Sequence, residues 1–100
     1  MIFTITSFDL KNNRKSGIDA EVRCRCVGYF LDFETAERCV LTNDMGRWYY
    51  SHVVIEQVEP GMYPTMPLYH RWFYGWDGER YIKLENFDDP HADVSYVSIG

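Results

Sequence analysis

Basic residues are scarce in this chain, which carries 10 Lys and Arg against 15 Asp and Glu, a formal net charge of −5 over 100 residues. Duplex nucleic acid is therefore excluded as an expected partner, because Lys and Arg neutralising phosphates supply most of that affinity. No apolar run approaches the roughly 20 residues of a membrane span, and none has the pattern of a secretory leader. Membrane association is not expected. Only three cysteines occur, Cys24, Cys26 and Cys39, an odd count without the spacing of a disulfide framework. A reducing cytoplasm is the expected setting. There is no glycine-rich phosphate loop, internal repeat or low-complexity tract.

Aromatic side chains are abundant, at 17% of the chain within 46% hydrophobic residues. A chain of this length makes one domain, residues 1–100, that buries about two-thirds of the surface its unfolded form exposes. The clearest local signal lies from Leu68 to Glu85, LYHRWFYGWDGERYIKLE. Asp77-Gly78 between aromatic and β-branched residues predicts a two-residue hairpin turn of type I′, in which both central residues need φ > 0. That register puts Trp76 opposite Glu79, Tyr74 opposite Tyr81, Trp72 opposite Lys83 and His70 opposite Glu85. Phe73, Ile82 and Leu84 fall on the other face and are expected in the core. The aromatic face is either a packing surface beneath a helix or a surface for recognition.

In chain order, Met1 to Phe8 suits a short strand, and Lys11 to Gly17 a polar loop. Alternation from Ile18 through Cys24, Cys26 and Phe30 predicts a half-buried strand that becomes buried on both sides as it reaches Val27, Tyr29 and Leu31. Asp32 as N-cap, Glu34 in the first turn and Asn43 at the far end delimit a helix over residues 33–41. Its stripe is Phe33, Ala36 and Val40, with Cys39 alongside. His52 to Val58 reads as a strand that returns parallel to the first strand of this unit. Pro60-Gly61 asks for a type II turn. Asn86 to Asp93 reads as an acidic surface loop and Val94 to Ile99 as a last edge strand or, with residues 88–100 together, a flexible tail. The expected fold class is α+β, with a single helix on a mostly antiparallel sheet of roughly four to six strands and room for one parallel pairing. One helix cannot cover two faces, which leaves homo-oligomerisation open.

Gly28-Tyr29-Phe30, Glu34, Ala36, Val40 and Asn43, the VVIEQVEPGMYP stretch and the Trp-rich hairpin resemble a loose group of short bacterial and phage proteins. The resemblance covers roughly residues 26 to 85 and brings no established activity with it. It implies a setting, a phage or mobile-element accessory protein active in counter-defence. Both ends of the chain depart from the pattern, including the strand built from Ile18 to Cys26.

No catalytic constellation is recognisable. Cys39, Ser51 and Ser7, set against His52, His70 and His91, lack an activating context. Cys24-x-Cys26 is not a zinc knuckle, and Asp88, Asp89, His91 and Asp93 lack the glycine and spacing of a calcium loop. No metal or cofactor is expected, and the thiols are expected to be buried, free and unreactive. Trp72, Tyr74, Trp76 and Tyr81, with Lys83, His70 and the Arg47-Trp48 pair beside Tyr49 and Tyr50, combine flat rings with cations. Such a face suits a nucleotide-like ligand, at about 1–3 kcal/mol per stacked base, and equally a protein partner, whose hot spots favour Trp, Tyr and Arg. The expected function is a non-catalytic binding module that sequesters a nucleotide-like ligand; the rival is a protein-interaction or inhibitor module. Elemental analysis of the purified protein should find no stoichiometric zinc; a stoichiometric metal would overturn the reading of the cysteines.

Overall fold

A computed structural model describes residues 1–10, 22–43, 50–59 and 70–87. The elements are β1 (Ile2–Leu10), β2 (Val22–Phe30), α1 (Phe33–Thr42), β3 (His52–Val58), β4 (His70–Trp76) and β5 (Tyr81–Leu84). They form one helix and one five-stranded sheet of order β2-β1-β3-β4-β5. Every neighbouring pair is antiparallel. The expected parallel pairing is corrected by the position of β1. Both β2 and β3 run antiparallel to β1 and so point the same way, but β1 lies between them and takes their ladder bonds.

α1 starts and stops where the sequence says it should. The Asp32 side chain accepts from Thr35 N at 2.9 Å and from Thr35 Oγ1 at 2.6 Å, which satisfies an orphan donor of the first turn. Asn43 turns left-handed at φ 53, and its N–H returns to the Cys39 and Val40 carbonyls. Ala36, Cys39 and Val40 are buried on the side facing the sheet. A 10-residue helix is marginal alone, so this contact holds it.

The hairpin closes one residue later than Asp77-Gly78 alone suggests. Asp77 Oδ1 accepts from Glu79 N at 2.8 Å and Arg80 N at 2.9 Å, and Asp77 N donates to Arg80 O at 3.0 Å. Asp77 is thus the residue before the turn, where its carboxylate ties the following amides, and Gly78 at φ 109 takes the first central position. Trp76 therefore pairs with Tyr81, Tyr74 with Lys83 and Phe73 with Leu84. The partners shift by two residues, an even number, so each side chain keeps the face expected from alternation while its partner changes. β5 ends at Leu84, and His70 pairs with Gln57 rather than facing Glu85.

α1 lies on the aromatic face. Its cluster joins Ala36, Cys39 and Val40 to Ile5, Val53, Ile55, Tyr74 and Tyr81, with Phe3, Val27, Phe30, Phe33 and Trp72 at the margin. The opposite face centres on Phe8, Val54 and Phe73, flanked by Leu84 and Phe87. Phe73 is core as expected, Leu84 is half-buried, and Ile82 is exposed because β5 is an edge strand. β2 is the other edge, which corrects its expected burial on both sides: Cys26, Tyr29 and Leu31 are exposed. A register break opposite Ile5 and Thr6 adds Val27 as an extra residue, so the alternation that put Cys26 and Phe30 on one face reverses there. The Pro60-Gly61 turn, the 88–100 segment and the residues before Val22 lie outside the described residues.

Phe8 is fully buried, so Phe8→Ala should cost about 3–5 kcal/mol in a denaturant melt. Ile82→Ala should change stability by about 0.5 kcal/mol or less, as exposed substitutions do. Equal losses would mean that the edge position of β5 is wrong.

Candidate functional site

Tyr74 and Tyr81 are large polar-tipped rings placed mid-sheet, and their hydroxyls decide how they can be buried. Tyr74 Oη donates to Glu37 Oε2 at 2.7 Å across the α1 interface, and Tyr81 Oη donates to the Tyr50 carbonyl at 2.6 Å. Both rings are inaccessible beneath the helix. Burial first, then the hydrogen bond and charge of Glu37, pushes the Tyr74 phenol far above its usual range. Burial, helped by the charge of Asp9, pushes Tyr81 up to about 12.

The rest of the expected site divides. Trp72 is half-buried, its ring 4.3 Å from Phe33 and 6.2 Å from Phe3. His70, exposed, lies 5.7 Å from Trp72. Lys83 is directed to the helix: its Nζ is 3.8 Å from Glu37 Oε2 and 5.9 Å from the Phe33 ring centroid. Trp76 stays 44% exposed, edge-on to Tyr81 at 5.1 Å. Arg47, Trp48 and Tyr49 lie outside the described residues, although Tyr50 is held by Tyr81. An open ring-and-cation face is thus corrected for Tyr74 and Tyr81, which α1 covers, and for Lys83, whose neighbours are on α1.

Two polar groupings escaped the sequence reading. At the start of β3, Ser51 Oγ is 2.7 Å from His52 Nδ1, and Ser51 N donates to Asp9 Oδ1 at 2.7 Å. The His52 ring stacks on Phe8 at 5.3 Å and lies 5.3 Å from Phe87. Burial lowers its pKa, against the opposing pull of Asp9, so the ring is held neutral. In a serine relay the carboxylate holds the imidazole; here Asp9 Oδ1 holds the serine amide and fixes the start of β3. The second grouping is Glu56, fully buried, whose Oε2 lies 3.1 Å from Arg71 Nε. Thr4, its ladder partner on β1, donates from Oγ1 to the Glu56 carbonyl at 3.4 Å, and Thr6, which pairs with Val54, is buried with its Oγ1 unpartnered. Alternation with Val54 and Val58 was the available signal that Glu56 faces inward, and a buried acid demands a cation nearby.

Among the described residues no group of three or more His, Cys, Asp or Glu could hold a metal. Cys39 is buried, but Cys26 is an exposed thiol on an edge strand, which corrects the expectation of buried cysteines. No described helix is long and apolar enough to cross a membrane. Comparison with protein-family models, curated proteins and solved structures returned no match.

The Tyr81 phenol stays protonated in the folded chain to about 12, against 10.0 for an unperturbed phenol. Its contribution to stability is therefore full below pH 10 and is lost as pH rises through the folded value. Tyr81→Phe should flatten the fall in stability between about pH 10 and pH 12, read by denaturant melts. His52 works in the opposite direction: its lowered pKa makes its contribution full above 6.5 and lost as pH falls, so the fall in stability on mild acidification should shrink in His52→Phe. An unchanged acid profile would remove His52 as its source.

Proposed function

We propose that this chain is a non-catalytic binding module that docks on a partner protein. The observation that carries the reading is where large apolar side chains remain in solvent. α1 occupies the aromatic face, whereas Tyr29 and Leu31 at one side of the sheet and Trp76 and Ile82 at the other are exposed. Exposed aromatic and aliphatic residues at sheet borders suit hot spots of a protein interface. The resemblance to phage proteins fits an inhibitory accessory role in a reducing cytoplasm, in which docking itself blocks the partner.

A nucleotide-like ligand is the second reading, and one observation favours it. Trp76 is exposed beside Tyr81, which offers an indole on which a base can stack. Tyr74 and Tyr81 themselves would contribute only by shaping the floor.

The tagged protein and two double variants, Tyr29→Ser with Leu31→Ser and Trp76→Ser with Ile82→Ser, distinguish these readings. A partner captured by the unaltered chain, then purified and titrated, should lose at least about tenfold in affinity with one double variant, at unchanged melting temperature. Undiminished affinity in both would overturn the docking reading. So would calorimetric binding of a nucleotide that Trp76→Ser abolishes, with no protein partner found.

A further inference from the structure

The two borders of the sheet are built differently. β5 is four residues long and carries Lys83, whose ammonium lies against α1. Short length and an edge lysine are devices that discourage strand addition. β2 is nine residues long, and among the described residues its one ladder partner is β1. Among the described residues nothing pairs with its other border, about 30 Å of extended backbone.

Charge says what that border would accept. VRCRCVGYF holds two arginines and no acid, within a chain of net charge −5. Arg25 is exposed and makes no ion pair among the described residues. Beyond it, Gly28 has no heavy atom within 4 Å of where a Cβ would stand, so the face of the strand is uncovered there. The strand then runs into Tyr29, 64% exposed, and Leu31, 75% exposed. The border therefore reads as a basic stretch, an open backbone and an apolar end.

A second copy fits this border poorly. Antiparallel self-pairing centred on Cys24 or Arg25 would set arginine positions of the two copies directly opposite one another, where like charges are destabilising, and the full-length register, with Arg23 opposite Tyr29 and Arg25 opposite Val27, gives neither arginine a carboxylate. The register break at Val27 further interrupts a long self-paired ladder. Neither feature opposes a short strand of the other sign.

We propose that the outer edge of β2 binds an extended, acidic segment of a partner protein, adding it to the sheet as a further strand. Main-chain hydrogen bonds supply the attachment, Arg25 selects carboxylates, and Tyr29 and Leu31 receive an apolar residue at one end. This rests on the docking reading and names its partner chemistry. Because Arg25 is exposed, the preference weakens as salt rises.

The test uses the full chain and two labelled peptides of about eight residues, one alternating Asp with Val and one alternating Lys with Val. By fluorescence anisotropy at low salt, the Asp-Val peptide should bind at least about tenfold more tightly than the Lys-Val peptide. Hydrogen exchange should slow at β2 amides when it is bound. Arg25→Glu should reverse the preference at unchanged melting temperature, and Arg25→Ala should remove it. Equal binding of both peptides, or protection confined to residues 76–82, would overturn the proposal. Protection of β2 without peptide, rising with protein concentration alongside a dimer mass in light scattering, would assign the edge to a second copy and overturn it too. A partner lost on Trp76→Ser with Ile82→Ser, together with no peptide protection of β2, would leave the docking reading standing and sink this one alone.

Discussion

The contact between α1 and the tyrosine-lined face of the sheet is the constraint on which the rest depends. A ring as large as Tyr74 fills the space under a short helix, but only if its hydroxyl is met at the border, and Glu37 on α1 meets it. Tyr81 does the same with the Tyr50 carbonyl and so ties the end of the connection into β3 to the hairpin. Two hydrogen bonds thus let an amphipathic face serve as core. The same contact closes the surface that rings and cations would otherwise offer to a ligand.

Around that contact the sheet arranges its charges by depth. β1 is an interior strand between β2 and β3, with Ile5 and Phe8 buried on opposite faces. Glu56 on β3 reaches Arg71 on β4, a buried pair whose partners are a cross-strand neighbour pair in the ladder. Such a pair adds little net stability but penalises any register that separates its members. It therefore ties β4 to β3 by charge as well as by hydrogen bonds. Ser51 and Asp9 make a comparable connection at the other end of β3.

The borders of the sheet differ from its centre in what they expose. The polar groupings that resemble catalytic or ligating sets are engaged in holding strands, while, apart from Met1 and the Leu41 of α1, the large apolar side chains exposed among the described residues are Tyr29, Leu31, Trp76 and Ile82, on or beside β2, β4 and β5. The two outer strands are not equivalent. β5 is brief and carries a lysine; β2 is long, basic and ends in two exposed apolar residues.

Local physics was legible in the sequence. The ends of α1 follow from Asp32 and Asn43, because caps act within one turn. β3 follows from its run of β-prone residues, and the two faces of the hairpin follow from alternation, which survives an even register shift. The register itself did not, because Asp77 satisfies turn amides equally well from a position outside the central pair. Tertiary structure alone decided which face α1 covers, since Phe33, Ala36 and Val40 match either side and the choice turned on Glu37 reaching Tyr74. It also decided that β1 separates β2 from β3, because sequence order does not specify which strand takes the central ladder. Cys26 and Tyr29 became edge residues through that insertion, and no pattern within β2 itself distinguishes an edge strand from one paired on both sides.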